Sequence, residues 1–155
     1  MKQIIVVSDS HFNTSILKDI AFKHQNADLF LHAGDSEDYE ANIYPFVSVK
    51  GNNDYLITDE IRIITFENLR ILLTHGHKMY LSKENIVLKA KKHNCNVFIH
   101  GHTHIPYTEK VDDIYILNPG SLSYPRSVMG ETYAIISIDD YKNVEIEIKQ
   151  CKLSK

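Results

Sequence analysis

Cysteine is scarce in this sequence, with only Cys95 and Cys151 among 155 residues. Neither residue belongs to a CxxC pair, which excludes a disulfide framework and the ligand spacing of a zinc finger. Isolated cysteines favour a reducing compartment, and we therefore expect a cytoplasmic protein.

A strong excess of one charge is also missing. Lys and Arg number 17 against 20 Asp and Glu, for a formal net charge of -3, so nothing indicates a general nucleic-acid binder. The only basic cluster, residues 89–93, is interpreted as the solvated face of a helix. We expect no specific nucleic-acid surface.

Long hydrophobic runs are absent as well. None approaches the roughly 18 residues that a membrane span needs, and the start MKQIIVVSDS turns polar too soon for a signal peptide. We expect no membrane partner. With 43% hydrophobic and 24% charged residues the composition is globular, and the length fits one domain over residues 1–155 with a sizeable core.

The first half of the chain alternates apolar runs with helical patterns. Strands are predicted at 3–9, 27–35 and 46–54, and the first is apolar enough to be covered on both faces. Asn13 or Thr14 can cap a helix that follows the first strand.

The second half contains more short strands. A hairpin is predicted from 60–66 and 69–75, followed by a helix from Ser82 to about residue 93 and a buried strand at 96–100. Further strands are predicted at 113–118, 132–138 and 143–149. We expect an α/β domain in which two sheets pack together with helices outside them.

Histidine, in contrast to cysteine, is abundant, with nine residues. Seven of them fall at or near the ends of apolar runs, and three crowd into HGHTH at residues 100–104. A metal, a proton-transfer site or chance could each explain this crowding. His32 and His100 are expected to be buried and hydrogen-bonded, and His24 and His93 to lie on helix surfaces.

Polar residues follow five of the predicted strands. In chain order they are Asp9 and His11, Gly34 and Asp35, residues 51–54 (GNND), residues 75–77 (HGH) and residues 101–104 (GHTH). Ligands of open α/β sheets bind beyond the carboxyl ends of the strands, so these residues are expected to share one pocket. Tyr55, directly after GNND, is a further candidate for the pocket wall.

The residue types in these motifs suit a transition metal. Carboxylate, carbonyl and imidazole ligands favour Mn²⁺, Fe²⁺, Zn²⁺ and similar ions. In an extended backbone, Asp9 and His11 would point the same way, as would His102 and His104. Taken singly, the DxH, GD and GNND motifs are as well explained by chance or by turn chemistry. Five motifs in this order, each at a strand end, make an accidental arrangement improbable.

As a set, the motifs resemble those of the calcineurin-like metallophosphoesterases, and most closely their small bacterial and archaeal phosphodiesterase branch. The matching residues are Asp9 and His11, Gly34 and Asp35, the GNND segment, His75 and Gly76, and Gly101 to His104. The segment from Asn118 to Ser121 resembles a loop of the same branch.

The resemblance implies an αββα sandwich of two mixed β-sheets flanked by helices, with a dinuclear metal centre. Asp9, His11 and His104 would hold one ion, Asn52, His75 and His102 would hold the other, and Asp35 would bridge the two. Mn²⁺ is the expected ion, with Fe²⁺, Zn²⁺, Ni²⁺ or Mg²⁺ as alternatives. Four positive charges against two carboxylates would activate a water molecule and attract an anionic ester.

Three departures from the family pattern affect the candidate catalytic and substrate-binding residues. Asn53 stands where many members have a histidine that protonates the leaving group, which a neutral amide cannot do; His77 is a candidate donor in its place. Phe12 replaces a common glycine and could stack on a base or aryl group. Arg126 could reach a phosphate oxygen.

The predicted function is hydrolysis of a small phosphate ester by a metal-activated water, with phosphodiesters favoured as substrates. A phosphomonoesterase or nucleotidase using the same site is one alternative. The other is a non-catalytic scaffold, because one branch of the superfamily serves a protein-sorting complex; the intact set of seven ligand positions favours the enzyme. A homo-oligomer is also expected.

Overall fold

Two five-stranded mixed sheets pack face to face in the computed structural model, which describes residues 1–151. The elements in chain order are β1 (Lys2–Val7), α1 (Thr14–Lys23), β2 (Leu29–His32), a 3-10 helix (Glu40–Ile43), β3 (Val47–Ser48), β4 (Ile61–Phe66), β5 (Leu69–Thr74), α2 (Lys83–Lys92), β6 (Val97–Ile99), β7 (Tyr107–Val111), β8 (Ile114–Asn118), β9 (Thr132–Ile138) and β10 (Val144–Gln150). The predicted αββα sandwich is confirmed.

Each sheet has a parallel centre and antiparallel additions. The first has the order β10-β9-β1-β2-β3, with β1, β2 and β3 parallel and β9 antiparallel to both of its neighbours. The second has the order β4-β5-β6-β8-β7, with β5, β6 and β8 parallel and antiparallel strands at both edges. The parallel strands of each sheet therefore send their carboxyl ends to one edge.

Alternation along β1 explains why this strand reads as a continuous apolar run. Ile4 and Val6 pack between the two sheets against side chains that include Ile71 and Ile99. Ile5 and Val7 point the other way, toward α1 and the 3-10 helix. A strand covered on both faces needs apolar residues at every position. Each such side chain contributes about 1.5–3 kcal/mol by leaving water.

The two helices cover the outer faces of the sandwich and begin where the sequence predicts. The Asn13 side chain accepts a hydrogen bond from the Ile16 N–H at 3.2 Å, and Ser82 accepts one from the Asn85 N–H at 3.2 Å. Helix α1 packs on the first sheet through Ile16, Leu17 and Ile20, and α2 packs on the second through Ile86, Val87 and Ala90. The helices cover the faces of the sheets and not their edges. The loops at the strand ends are therefore free to form a site.

Several predicted strand boundaries are wrong. The predicted strands at 27–35 and 46–54 shrink to Leu29–His32 and Val47–Ser48, because the residues after them leave the sheets to form the turns described below. Strand β7 was not predicted; its sequence YTEKV is polar because it is an edge strand with alternate residues exposed. Within residues 1–151, no helix is long and apolar enough to cross a membrane.

Candidate metal centre

The loop after β1 and the loop after β2 run side by side at the edge of the first sheet. The N–H of Asp9 donates to the Gly34 carbonyl at 3.0 Å, and the N–H of His11 donates to the Asp35 carbonyl at 2.9 Å. These bonds hold two motifs that begin 25 positions apart in direct contact. The expected convergence of strand-end residues is therefore present at these two loops.

The backbone at the DxH and HTH motifs is not extended, so the expectation that an extended backbone points these side chains the same way is wrong. Asp9 and His11 have φ angles of 53° and 45°, and His102 and His104 have 71° and 64°. All four lie in the left-handed region, which non-glycine residues visit only in turns or under strain. Their side chains meet because tight turns aim them inward, and not through strand alternation.

Asp54, the last residue of GNND, holds two of the loops together. Its carboxylate is buried and accepts the N–H groups of Asp35 at 2.8 Å, Gly51 at 2.7 Å and Glu37 at 2.7 Å. Three charge-assisted hydrogen bonds from two loops fix the position of Asp35 relative to Asn52 and Asn53.

Asp9 is fully buried and keeps one oxygen free. Its Oδ2 accepts hydrogen bonds from the Ser8 hydroxyl at 2.6 Å and the His102 N–H at 3.2 Å. Its Oδ1 has no hydrogen-bond partner, yet lies 3.2 Å from His104 Nε2, 3.7 Å from His75 Nε2 and 3.8 Å from His11 Nε2.

Three imidazoles are oriented in the same manner around Asp9. Nδ1 of His11 donates to Glu37 Oε2 at 2.9 Å, Nδ1 of His75 to the Ala33 carbonyl at 2.8 Å, and Nδ1 of His104 to the Tyr124 carbonyl at 2.6 Å. Each ring thus has its outer nitrogen occupied by an acceptor and its Nε2 directed inward. This is the arrangement that orients metal-binding histidines.

Asp35 lies on the other side of the same space. Its Oδ2 is 3.3 Å from His75 Nε2 and 4.0 Å from His11 Nε2. Asn53 donates its backbone N–H to Oδ1 at 2.8 Å and its side-chain amide to Oδ2 at 3.0 Å. His75 Nε2 also lies 3.0 Å from Asn52 Oδ1. One nitrogen therefore faces oxygens of Asp9, Asp35 and Asn52.

The converging atoms fit divalent cations. Among residues 1–151, two sets of three residues offer ligand atoms within 4.8 Å of one another: Asp9, His11 and His104, and Asp9, Asp35 and His75. The buried Oδ1 of Asp9 and Nε2 of His11, both without hydrogen-bond partners, need a cation to satisfy them. Carboxylate oxygens and imidazole nitrogens are suitable donors for Mn²⁺, Fe²⁺ or Zn²⁺.

His102 lies at the edge of this cluster. Its ring centroid is 5.2 Å from that of His75, and its side chain is outside both three-residue sets. Asp9 belongs to both sets, whereas the resemblance implied Asp35 as the bridge. Because Asp35 also approaches imidazoles of both sets, both carboxylates are placed to contact two cations.

The two carboxylates hold positive charge on the imidazoles. Burial acts to raise the pKa of Asp9 and Asp35, but the adjacent imidazoles of His104 and His75 outweigh it and hold both pKa values below their usual range. Burial acts to lower the pKa of His75, yet Asp35 and Asp9 raise it, and the close contact with Asp9 raises the pKa of His104. A cation that binds through Nε2 of these rings would displace the proton there.

The histidines outside the cluster are found largely where the sequence predicts. His32 and His100 are buried, and burial lowers the pKa of each to about 4. His93 ends α2. His24 ends α1 and its Nε2 lies 2.7 Å from the Tyr133 hydroxyl, so it contacts the first sheet as well as the surface.

The remaining candidate residues surround the cluster at different distances. His77 lies beside His75 and His102, with ring-centroid distances of 5.4 Å and 6.3 Å. Phe12 is exposed next to His11, and the Arg126 N–H donates to the His104 carbonyl at 3.0 Å. Tyr55 is 87% exposed, so its ring lies largely in solvent.

Two residues that contact the cluster were not singled out from the sequence. Glu37 orients His11, and Tyr124 contacts His11 through its ring and His104 through its carbonyl. Glu37 has no distinguishing local signal, because its role depends on a partner 26 positions away. Tyr124 follows the Asn118–Ser121 loop, and the resemblance of this loop to one in the phosphodiesterase branch was a sequence signal close to it.

The chain matches the family model of the calcineurin-like phosphoesterase superfamily domain over residues 1–141. The chain belongs to this superfamily. A probable metallophosphoesterase of Bacillus subtilis, YsnB, is 33% identical over 144 residues, which cover 88% of this chain and 85% of that protein.

Two further comparisons describe how far the likeness extends. The phosphodiesterase YfcE of Escherichia coli K12 is 33% identical over 102 residues, covering 60% of this chain and 53% of YfcE. The crystal structure of a predicted phosphoesterase from Streptococcus pneumoniae superposes with a TM-score of 0.86 at 29% identity, covering 96% of this chain and 89% of that one. The fold and the family are thus shared along almost the whole chain.

Proposed function

We propose that this protein is a metal-dependent phosphodiesterase that uses two divalent cations, with Mn²⁺ as the expected ion. The observation that carries the proposal is the convergence of three imidazole Nε2 atoms on the unpaired, buried Oδ1 of Asp9. Membership of the phosphoesterase superfamily supports the reaction class. The substrate is a small phosphate ester.

The proposed ligand sets are those that the family resemblance implies, and contacts within the cluster support them. Asp9, His11 and His104 hold one cation, and Asn52, His75 and His102 hold the other, with Asp35 between them. When bound, the cations would supply the positive charge that lowers the pKa of an attacking water and stabilises charge at phosphorus. The contact of His75 with Asn52 and its proximity to His102 support the second set.

The chain's own residues orient these groups and surround the substrate. Asn53 donates two hydrogen bonds to Asp35 and so holds the bridging carboxylate in place. His77, beside His75, is the proposed proton donor to the leaving group. Arg126 is the proposed partner of a phosphate oxygen, and the hydrogen bond from its backbone N–H to the His104 carbonyl supports this role.

The preference for diesters is supported by the YfcE relative, whose name describes a phosphodiesterase. A monoesterase using the same residues is the competing proposal, since the cluster recognises phosphate and not its substituents. The scaffold alternative is disfavoured because every ligand position of the family pattern is occupied by a metal-binding residue type.

Activity and metal content test the proposal together. Metal-free protein, prepared with EDTA, should be inactive and should regain hydrolysis of bis-p-nitrophenyl phosphate when Mn²⁺ is added, with close to two ions bound per chain. Bis-p-nitrophenyl phosphate should be hydrolysed faster than the mono-ester. No hydrolysis with any divalent ion would favour the scaffold alternative, and faster hydrolysis of the mono-ester would favour a monoesterase.

A further inference from the structure

Three exposed apolar side chains belong to the loops that carry His11 and His104, and we call them the apolar rim. They are Phe12, 69% exposed, Ile105, 48% exposed, and Tyr124, 62% exposed. Phe12 directly follows His11 and Ile105 directly follows His104, while the Tyr124 ring lies 5.1 Å from the His11 ring. The rim therefore borders the Asp9, His11 and His104 set.

The opposite side of the cluster has different chemistry. The side chains that contact or lie beside His75 on that side are those of Asn52 and His77, an amide and an imidazole. A phosphodiester has two different substituents on its phosphorus. A site with one apolar and one polar side can distinguish them.

The backbone of the apolar rim is held firmly although its side chains are exposed. The Phe12 N–H donates to the Ser36 carbonyl at 3.0 Å, and its carbonyl accepts the Thr14 N–H at 2.8 Å. The Tyr124 N–H donates to the Ser121 hydroxyl at 2.9 Å, and its carbonyl accepts from His104. Both rings are thus presented to solvent from ordered loops, which reduces the entropy lost when a ligand binds.

Phe12 occupies a strained position. Its φ angle is 66°, in the left-handed region where a glycine is free of strain and a bulky side chain is an outlier. The phenyl ring is also exposed and so gains little from burial in the protein itself. Strain of this kind is characteristic of functional sites, and it indicates that the ring has a use beyond folding.

We propose that the apolar rim binds an aromatic substituent of the substrate, a simple aryl group or a nucleobase, next to the cation set of Asp9, His11 and His104. This inference rests on the proposed function. Aromatic side chains bind planar rings by stacking or edge-on contact, and every base or aryl group offers such a face. A sugar or short alkyl substituent offers none.

Binding of phosphate compounds to Mn²⁺-loaded protein tests the inference by calorimetry. Phenylphosphonate is compared with methylphosphonate, and a nucleoside 5′-monophosphate with ribose 5-phosphate. The aromatic member of at least one pair should bind about tenfold more tightly. Preference within both pairs supports a general aryl site, and preference only for the nucleotide supports a nucleobase site.

Variants locate the preference on the rim. Tyr124→Leu and Phe12→Gly should each remove most of the preference, measured as the ratio of the two affinities within a pair, so that any change in phosphate affinity itself cancels. Tyr124→Phe, which retains a ring, should keep the preference. Phe12→Gly relieves the backbone strain, so loss of folding cannot explain its effect. Tyr141→Leu, at an exposed tyrosine outside the cluster, is the matched control and should bind as the unsubstituted protein does.

Equal binding within both pairs would overturn the inference, as would a preference that survives in both Tyr124→Leu and Phe12→Gly. Rim variants that change the oligomeric state in size-exclusion chromatography without changing the preference would assign the rim to contacts between copies instead. If neither phosphonate nor inorganic phosphate binds and no ester is hydrolysed, the proposed function itself fails. Phosphate binding without aromatic preference leaves that function standing and rejects only the rim.

Discussion

His11 Nδ1 lies 2.9 Å from Glu37 Oε2, while the other nitrogen of the same ring faces Asp9 and Asp35. Because a carboxylate can only accept, the proton must be on Nδ1. In the form that binds a cation, the ring therefore presents a lone pair on Nε2 toward the space between the two aspartates. Glu37 acts through His11 and is a positioning residue.

Replacing Glu37 should weaken metal binding without unfolding the protein. We expect Glu37→Ala to reduce Mn²⁺ affinity by about 10- to 100-fold, the usual effect of removing a carboxylate that orients a ligand histidine. Glu37→Gln should retain most of the affinity, because its amide oxygen can accept the same hydrogen bond. Calorimetric titration measures the affinity.

The histidine tautomer provides a readout that a merely structural role of Glu37 would not change. Nitrogen chemical shifts in metal-free protein should show His11 protonated on Nδ1, and a mixture of tautomers in Glu37→Ala. Glu145→Ala, an exposed carboxylate on β10, is the control. Unchanged tautomer and affinity in Glu37→Ala would contradict the role of Glu37.

Asp35→Asn should abolish turnover. The substitution removes one of the two carboxylate charges facing the imidazoles. The isosteric side chain can keep only one of the two hydrogen bonds from Asn53, because its NH2 group cannot accept. Hydrolysis of bis-p-nitrophenyl phosphate and metal content by elemental analysis should fall together, while circular dichroism shows an intact fold. Asp19→Asn, on the exposed face of α1, should behave as the unsubstituted protein. Full activity in Asp35→Asn would show that the site is misassigned.

Gly51→Ala should damage the site through close packing. A Cβ at Gly51 would overlap the carboxylate of Asp35 and approach its backbone nitrogen to 2.6 Å, so the loop carrying Asp35 must move. We expect a loss of about 1–3 kcal/mol in the free energy of unfolding and weaker Mn²⁺ binding.

Gly130→Ala is the control that separates a loss of stability from a loss of Mn²⁺ affinity. A Cβ at Gly130 meets nothing within 4 Å, although its φ angle of 73° makes alanine strained there. Its stability should fall by about 1 kcal/mol with unchanged metal affinity. Should Gly51→Ala likewise retain full affinity, the approach of its Cβ to Asp35 would be irrelevant to the site.

Stability of the metal-free protein should fall as the pH drops from 6.5 toward 4, in part because of His32. Its Nδ1 accepts the Gly34 N–H at 3.1 Å and its Nε2 lies 2.9 Å from the Ser10 hydroxyl, so the ring must be neutral when folded. Burial lowers its pKa from 6.5 to about 4. Above pH 6.5 the His32 ring is neutral in both the folded and the unfolded protein, so it does not change the free energy of unfolding. Below pH 6.5 the ring is protonated first in the unfolded protein, which favours unfolding.

The loss attributable to His32 amounts to about 3 kcal/mol across that interval, and it is constant below pH 4. Urea unfolding at several pH values should show a shallower pH dependence in His32→Gln than in the unsubstituted protein. His93→Gln, at the end of α2, should leave the dependence unchanged. Parallel curves for His32→Gln and the unsubstituted protein would contradict this assignment.

Leaving-group chemistry should reveal whether Asn53 leaves the site without a proton donor. An amide cannot donate a proton as a general acid, and Asn53 is already hydrogen-bonded to Asp35. With His77 as the donor, kcat/KM should fall only slightly as the leaving-group pKa rises across a series of aryl diesters. A steep fall would show that the site lacks a donor, and Asn53→His should then restore about a hundredfold for the poorest leaving groups.

The same series tests the proposed role of His77. If the unsubstituted protein shows a shallow dependence on leaving-group pKa and His77→Asn makes it steep, His77 is the donor. If His77→Asn changes nothing, the proton comes from elsewhere and His77 has no catalytic role. Hydrolysis of esters with good leaving groups should remain in either case.

Local sequence signals predict the helix starts correctly but not the strand ends. Helix starts at Asn13 and Ser82 were predicted correctly because capping and apolar spacing are local. Strand ends at His32 and Ser48 were placed too late, since nothing local shows that the following residues turn away to bind Asp54. That residues 1–155 form one domain, and that the protein is cytoplasmic, stays a prediction.

The amino-acid sequence by itself was enough to predict the family and its sandwich of two mixed sheets, because the set of five motifs resembles that of the calcineurin-like metallophosphoesterases. It also determined the packing of two sheets with helices outside and the residue types at the strand ends, because apolar spacing and ligand chemistry are local properties. Only the tertiary structure decided which nitrogen of each histidine faces inward, how Glu37 and Tyr124 contact His11, and that Asp9 keeps one oxygen unpaired. Those properties depend on hydrogen bonds between loops distant in sequence and on left-handed turns, which exist only when the loops meet.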